Sequence, residues 1–308
     1  MKQVAVQIID YLTASKAAVF GLLEMMELAN TICRQLNADV CFDVKVLTTS
    51  ALSETEPSDV IVLPPSTSED FFDNDFSDLI DYLHLQQEKG ATLASACVGA
   101  FILATGGFLN NKVCTTHWRI AQDFNRAFPN AKLDANAIVA SDDGVITAGG
   151  RMAWIDLGFE VISQFSSPAI ASHLSKEMVI DTGYREQGYY HQFSPDLSHK
   201  DELVLKVQRY LAEHFASPLQ VKAIADIHFV SVRTLQRRFT QTLGLTLIEY
   251  LQKLRLHHAC QHMEISKLSV NDIAYAVGYQ NVNAFRKVFK SEYGLSPVEY
   301  RKRFSITE

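Results

Sequence analysis

The chain has little of what staples or metals need. Five cysteines stand among 308 residues, at positions 33, 41, 97, 114 and 260. An odd and scattered set excludes a disulfide framework and shows no paired zinc spacing. It fits a reducing cytoplasm, and neither a metal nor another cofactor is expected. No apolar run reaches the roughly 20 residues that cross a bilayer, so no membrane partner is expected. The opening Met1-Lys2-Gln3-Val4 enters a strand-like run directly, so no secretory signal is expected. Positive charge is also scarce overall: 28 Lys and Arg against 35 Asp and Glu give a net charge of −7. That average hides a split. From Lys200 to Glu308 there are 16 basic residues against 10 acidic, a balance of +6; the remainder has 12 against 25, a balance of −13. A basic C-terminal part joined to an acidic one suits nucleic-acid binding by one part only. The length allows two domains with separate cores.

What is present, and dense, is an internal repeat. At a spacing of 50 residues Ser231 recurs as Asn281, Leu235 as Phe285, Arg237 as Lys287 and Phe239 as Phe289. Gly244-Leu245-Thr246 recurs as Gly294-Leu295-Ser296, and Glu249-Tyr250 as Glu299-Tyr300. Upstream, Val221, Ile224 and Ala225 recur as Val270, Ile273 and Ala274, one residue closer. One small unit is built twice. In the second copy Ser269 caps a helix carrying Val270, Ile273, Ala274 and Val277, and Gly278 permits the turn. Asn281 caps the next helix, with Ala284, Phe285, Val288 and Phe289 on one face. Gly294 ends it, and Ser296-Pro297-Val298-Glu299 opens a third with a capping box. In the first copy Ser231 caps a helix whose inward positions are Val232, Leu235 and Phe239. Two short helices joined by a tight turn are the geometry that lays a helix in the major groove of double-stranded DNA.

Arg and Lys bond the O6 and N7 edge of guanine, and Asn and Gln bond adenine. The candidate base readers are therefore Arg233, Gln236 and Arg237 in one copy and Asn283 and Lys287 in the other. Ser231, Thr234, Asn281, Arg286, Lys290 and Arg301 are the candidate phosphate contacts, which position without reading. Between the copies, Leu247 to Met263 places Ile248, Leu251, Leu254, His258 and Ala259 at helical intervals. One long helix packed on both units is expected. It would hold the two reading helices in adjacent groove segments, about 34 Å apart.

The run Asp272-Ile273-Ala274, Val277-Gly278-Tyr279, Phe285, Phe289-Lys290, Gly294-Leu295-Ser296-Pro297 and Tyr300-Arg301 resembles the DNA-binding domain of AraC/XylS-type transcription regulators. The resemblance covers roughly the last hundred residues. It implies a sequence-specific regulator, usually an activator, and a homodimer suits repeated half-sites.

The N-terminal part alternates apolar runs with helical patterns. Val4 to Ile9, Phe42 to Leu47, Val60 to Leu63 and Thr92 to Ala96 read as buried strands. Stretches near 17–37, 76–89, 117–128 and 151–166 read as helices. The expected class is α/β, a doubly wound, mostly parallel, flavodoxin-like sheet, followed by an all-α domain with two helix-turn-helix units. Asp142-Asp143-Gly144 marks a hairpin within Ala137 to Ala148. In Ala94-Ser95-Ala96-Cys97-Val98-Gly99 a buried strand turns at once into a helix. That raises Cys97 at the carboxyl edge of the sheet, where such folds bind ligands. Helix amides there favour a thiolate, so a lowered pKa is expected. His117, in Thr115-Thr116-His117-Trp118, is placed to approach it. Cys97, Val98 and His117 form a candidate ligand pocket. Each residue also has a plain structural role open to it, Cys97 as a small buried side chain and His117 as a packed ring.

Cys97 to Ala104, Thr115 to Trp118, and Ala148-Gly149-Gly150 through Ile155-Asp156-Leu157 resemble the PfpI and class I glutamine amidotransferase-like superfamily, in the version fused to AraC-type regulators. Enzymatic members use the elbow cysteine as nucleophile, with a histidine and an acid. Here Val98 stands where protease-like relatives often carry the histidine. Ala18 stands where fused members often carry an acid before the retained Gly21 and Glu24, and Pro64-Pro65-Ser66 replaces a Gly-Gly strand end. Without an adjacent carboxylate the thiol lacks one polarising group. No catalytic residue is therefore expected; the N-terminal domain is expected to sense a small-molecule effector or to dimerise. The alternative is a cysteine hydrolase or amidase tethered to DNA. The expected domains are 1–182 and 201–308. A linker at 183–200 is rich in Tyr and polar residues, with His191 and His199 facing solvent.

Overall fold

Of the four apolar runs read as buried strands, those at Val4, Val60 and Thr92 become interior parallel strands of a six-stranded sheet, and Phe42 to Leu47 becomes a mostly half-buried parallel edge strand. A computed structural model describes residues 1–54 and 56–306. Contacts divide the chain into two units, Met1–Gln187 and Gly188–Glu308.

The first unit runs β1 (Lys2–Asp10), α1 (Lys16–Gln35), β2 (Val40–Thr48), β3 (Val60–Leu63), α2 (Ser77–Glu88), β4 (Thr92–Ala96), α3 (Gly99–Thr105), β5 (Val113–Cys114), α4 (Ala121–Ala127), β6 (Lys132–Leu133), β7 (Val139–Asp142), β8 (Val145–Ala148), α5 (Trp154–Phe165) and α6 (Pro168–Glu177). The sheet order is β2-β1-β3-β4-β8-β7, with β5 and β6 paired separately. β2, β1, β3, β4 and β8 are parallel, and β7 returns antiparallel along β8 through the expected hairpin. Every residue of β3 and β8 is buried, as strands covered on both faces must be. Helices α1, α5 and α6 pack together, and α2 packs with α3. Gly21 has a packing reason: a Cβ there would stand 2.4 Å from the Trp154 ring of α5. Glu24, the other retained residue, is exposed.

Two details depart from the pattern reading. The helix expected near 117–128 is a 3₁₀ turn, Trp118–Ile120, followed by the short α4. Helix α6 adds to the expected helices; Ser167 caps it and Pro168 sits at its first turn.

The second unit is helical: α7 (Glu202–His214), α8 (Val221–Ile227), α9 (Val232–Leu243), α10 (Leu247–Ile265), α11 (Val270–Ala276), α12 (Val282–Tyr293) and α13 (Pro297–Phe304). The long helix α10 serves two cores. Its Leu247, Tyr250, Leu251 and Leu254 join Leu235 and Phe239; its Leu256, Ala259, Cys260 and Met263 join Phe285 and Phe289. Ile248 differs from expectation and lies 60% exposed. Ala284 is also exposed, so the inward face of α12 is Phe285, Val288 and Phe289.

The segment expected as a linker is anchored. In the first unit Gln187 Nε2 donates to Thr115 Oγ1 at 3.1 Å, Thr116 O at 2.9 Å and Ala137 O at 2.8 Å, and Arg185 pairs with Asp156. In the second unit the Arg303 guanidinium sits 5.1 Å over the Tyr189 ring, and Phe193 meets Tyr250 edge-on at 5.0 Å. His191 and His199 are half-buried rather than solvent-facing. Burial holds His191 below the ordinary imidazole range, and His199 Nε2 lies 2.9 Å from Gln208 Oε1. The segment has anchors without a repeat because its contacts are single side chains, not a helix face.

Candidate nucleic-acid interface and the cysteine elbow

Helices α9 and α12 are each fixed at both ends by residue type. In the first copy the Ser231 hydroxyl accepts the Thr234 amide at 3.1 Å, and Gly244 closes α9 in the left-handed region at φ +69°. In the second, Asn281 Oδ1 accepts the amides of Asn283 and Ala284, and Gly294 closes α12 at φ +72°. Leu235 and Phe239, like Phe285 and Phe289, are 0% exposed. Those pairs fix the rotation of the helices. They leave Arg233, Gln236 and Arg237 exposed on α9, and Asn283, Arg286, Lys287 and Lys290 exposed on α12.

The candidate phosphate contacts are less uniform. Ser231, Thr234 and Asn281 are engaged in the caps just described, and the Ser231 and Thr234 hydroxyls lie 2.9 Å apart. Arg286 donates to Asn271 Oδ1 at 3.1 Å, tying α12 to α11. Arg286, Lys287 and Lys290 line an open cleft of about 680 Å³ that reaches Ser296 and Pro297, at the start of α13. Arg301 is half-buried. Its Nε and Nη2 are covered and have no hydrogen-bond partner among the described residues, so most of its guanidinium is turned from solvent. Arg238, beside Arg237, is committed elsewhere: it donates from Nε and Nη2 to the Asp201 carboxylate, at 2.9 and 2.5 Å.

In the first unit Cys97 sits on the elbow between β4 and α3. Its φ is +57°, in the left-handed region. The strain is held from three sides. The Cys97 amide donates to Ala148 O at 2.7 Å, and its carbonyl accepts the Thr116 hydroxyl at 2.7 Å. At Gly99 a Cβ would press on Leu63 O at 3.1 Å, which brings the end of β3 against the elbow. Tyr11, from the end of β1, donates to Pro64 O at 2.5 Å. Gly149 is crowded too, since a Cβ would stand 1.9 Å from the Gln187 amide nitrogen.

The thiol does not follow the expected direction. Cys97 is 2% exposed, and burial pushes its pKa up to about 11, against smaller lowering effects from the Val98 amide and Arg151. The amide at the start of α3 lowers the pKa less than desolvation raises it. Ala18, at the place of the missing acid, is 0% exposed. His117 caps the 3₁₀ turn, its Nδ1 accepting the Arg119 amide at 3.0 Å. Sequence reasoning missed Gln187. Its carboxamide oxygen accepts the Trp118 amide at 3.1 Å, so this one side chain braces the loop that bears His117.

Comparison with known proteins divides the chain in the same way. A helix-turn-helix domain matches residues 224–303, and the DJ-1/PfpI family matches residues 30–164. The HTH-type transcriptional regulator GlxA of Rhizobium meliloti is 28% identical over 218 residues, 70% of this chain and 66% of GlxA. The HTH-type transcriptional activator RhaS of an Enterobacter species is 36% identical over 106 residues, 34% of this chain and 38% of RhaS. The crystal structure of an AraC family transcriptional regulator from Pseudomonas putida aligns with a TM-score of 0.47 at 16% identity, over 57% of this chain and 99% of that one. The chain spans just under two thirds of the length of curated relatives such as GlxA. No helix among the described residues is long and apolar enough to cross a membrane.

Proposed function

We propose that this chain, which joins a DJ-1/PfpI domain to an AraC-type helix-turn-helix domain, is a sequence-specific DNA-binding transcription regulator, an activator working as a homodimer in the cytoplasm. One observation carries the reading. Equivalent outward positions of two repeated helices hold exposed hydrogen-bonding side chains, Arg233 with Asn283 and Arg237 with Lys287, over inward pairs that are wholly buried. Arg233, Gln236, Arg237, Asn283 and Lys287 are the base readers. Lys290 and Arg286 are the phosphate contacts, with Ser231, Thr234 and Asn281 orienting the helix amides toward the backbone. Arg301 contributes least to that set, because its guanidinium is largely covered.

The N-terminal domain senses a small molecule or dimerises, and does not catalyse. A thiol held protonated by burial, in a chain with Ala18 where the resemblance puts the polarising acid, is a poor nucleophile. Cys97, Val98 and His117 serve as pocket residues. An effector then acts by binding the DNA-competent arrangement better than the other.

The test is a binding series on a duplex selected by the wild-type protein from a random pool. Arg237→Ala is expected to weaken binding by about 1–3 kcal/mol and to relax base preference at one position. Lys290→Ala is expected to weaken all duplexes alike and to flatten the salt dependence. An Arg237→Ala protein that behaved like Lys290→Ala would reverse the assignment of faces.

A further inference from the structure

The two copies end their first helix in the same way but with different residues. At the end of α8 the Phe229 amide donates to Asp226 O at 3.1 Å and the Val230 amide to Ala225 O at 3.0 Å. At the end of α11 the Gly278 amide donates to Tyr275 O at 3.0 Å and the Tyr279 amide to Ala274 O at 2.9 Å. This closure needs one left-handed residue, and glycine is the usual choice. Gly278 fills it at φ +87°; Phe229 fills it at φ +53°. A side chain in that region is disfavoured. Phe229 recovers nothing by burial, because 96% of its surface is exposed.

The second copy has no choice. A Cβ at Gly278 would stand 2.6 Å from the Ala216 carbonyl oxygen. The first copy has room, and holds a large apolar ring in it. Inside the fold that ring is a cost with no return, so its use lies outside the fold. Its location says where. Phe229 precedes Ser231, the cap of α9, by two residues. It therefore stands at the N-terminal end of the reading helix, the end that enters the groove in helix-turn-helix proteins. The exposed Arg233 and Arg237 follow along the same helix. A ring there borders the sugar-phosphate strand at the groove edge. It has no charge for a phosphate and no hydrogen-bonding group for a base edge, but it matches the apolar face of a deoxyribose.

We infer that Phe229 is a DNA-positioning contact: its exposed ring, in the left-handed turn of the first copy, packs on the deoxyribose backbone beside the groove that α9 enters. The second copy has no such anchor. The inference rests on the DNA-binding reading above.

The test uses the full chain and two variants that suit the turn, Phe229→Gly and Phe229→Asn. Thermal unfolding and binding to the wild-type-selected duplex are measured at several salt concentrations, beside Arg237→Ala. Phe229→Gly is expected to raise the apparent Tm by about 4 °C. Both variants are expected to bind roughly fivefold more weakly, with an unchanged salt slope and unchanged base preference. Affinity within twofold of wild type in both variants overturns the inference. So does a lowered Tm in both, which would give the ring a role in the fold, or lost promoter activation at full DNA affinity, which would give it a protein partner. If Arg237→Ala behaves as expected and the Phe229 variants do not, only this inference falls. If the wild-type chain selects no duplex, the functional reading falls and takes this one with it.

Discussion

The two helix-turn-helix copies agree at the ends of α9 and α12 and in their buried pairs, and differ at the turn before those helices and in the side chains that point outward. Helices α9 and α12 begin on a capping side chain and end on a left-handed glycine, and both following helices open with a capping box. The ties between helices are not shared. Arg238 of α9 holds Asp201 at the start of α7, while the matching residue of α12 is the apolar Val288. In the second copy Arg286 holds Asn271, and Lys253 pairs with Glu292. The repeat thus preserves a scaffold, and it frees the outward positions to differ. The proposed reading of two different stretches of one duplex requires that freedom.

The largest expected effect comes from the turn glycine of the second copy. Gly278→Ala places a Cβ against the Ala216 backbone at a φ of +87°. Carbonyl backbone cannot swing away as a flexible side chain can. The loss is expected to be about 2–4 kcal/mol, read by urea unfolding. A loss below about 0.5 kcal/mol would mean that the 216 loop yields, and that the two turns differ less than their geometry suggests. Glycine at 229 is expected to act in the opposite direction.

Next in size are the two capping boxes, where the copies are expected to match. The Thr246 amide donates to Glu249 Oε2 at 2.8 Å and the Glu249 amide to Thr246 Oγ1 at 3.2 Å. The Ser296 and Glu299 pair repeats this at 2.7 and 3.3 Å. Thr246→Ala and Ser296→Ala are each expected to cost about 1 kcal/mol. Chemical denaturation of the two variants side by side checks it. A much larger loss for Thr246→Ala would mark α10, the helix shared by both cores, as the element on which the second unit's stability turns.

What the sequence made legible was local chemistry. Ser231, Asn281, Ser296, Gly244 and Gly294 announce helix ends because a cap or a left-handed glycine needs only its near neighbours. The alternation of apolar runs similarly foretold the parallel sheet. What stayed hidden depends on partners far along the chain. Arg237 and Arg238 are adjacent and chemically alike, yet only Arg238 meets a carboxylate, 37 residues away. The elbow turn of Cys97 was readable. The direction of its pKa was not, because burial within the fold decides it. Phe229 gave no sign at all, since phenylalanine is not a turn residue. Gln187 sits in a stretch without periodicity, where nothing marks one buried carboxamide among polar neighbours.

The smallest expected effect separates the copies by pH. On the second-copy side, burial holds three imidazoles below their ordinary range. His257 has Glu264 opposing the shift, and His258 has His257 and His262 adding to it and a Gln261 hydrogen bond opposing it. His191 has Glu292 opposing the shift and Lys253 adding to it. His258 also stacks on Phe215 at 3.9 Å. In the unfolded chain these groups take a proton near pH 6.5; in the fold they take it only at lower pH. Between those points the unfolded state binds more protons, so stability drops as pH falls below about 6.5. The first copy depends instead on Asp201, which the Arg238 hydrogen bond holds below the ordinary carboxylate range. A lowered carboxylate keeps its full contribution above about pH 4 and loses it only below. Between pH 7 and 5.5 the core amides of α12 around Phe289 are therefore expected to lose hydrogen-exchange protection, corrected for intrinsic rates, while those of α9 around Phe239 hold. Equal losses in the two helices would show that α10 transmits the protonation to both cores, and the copies would then be one cooperative unit rather than two.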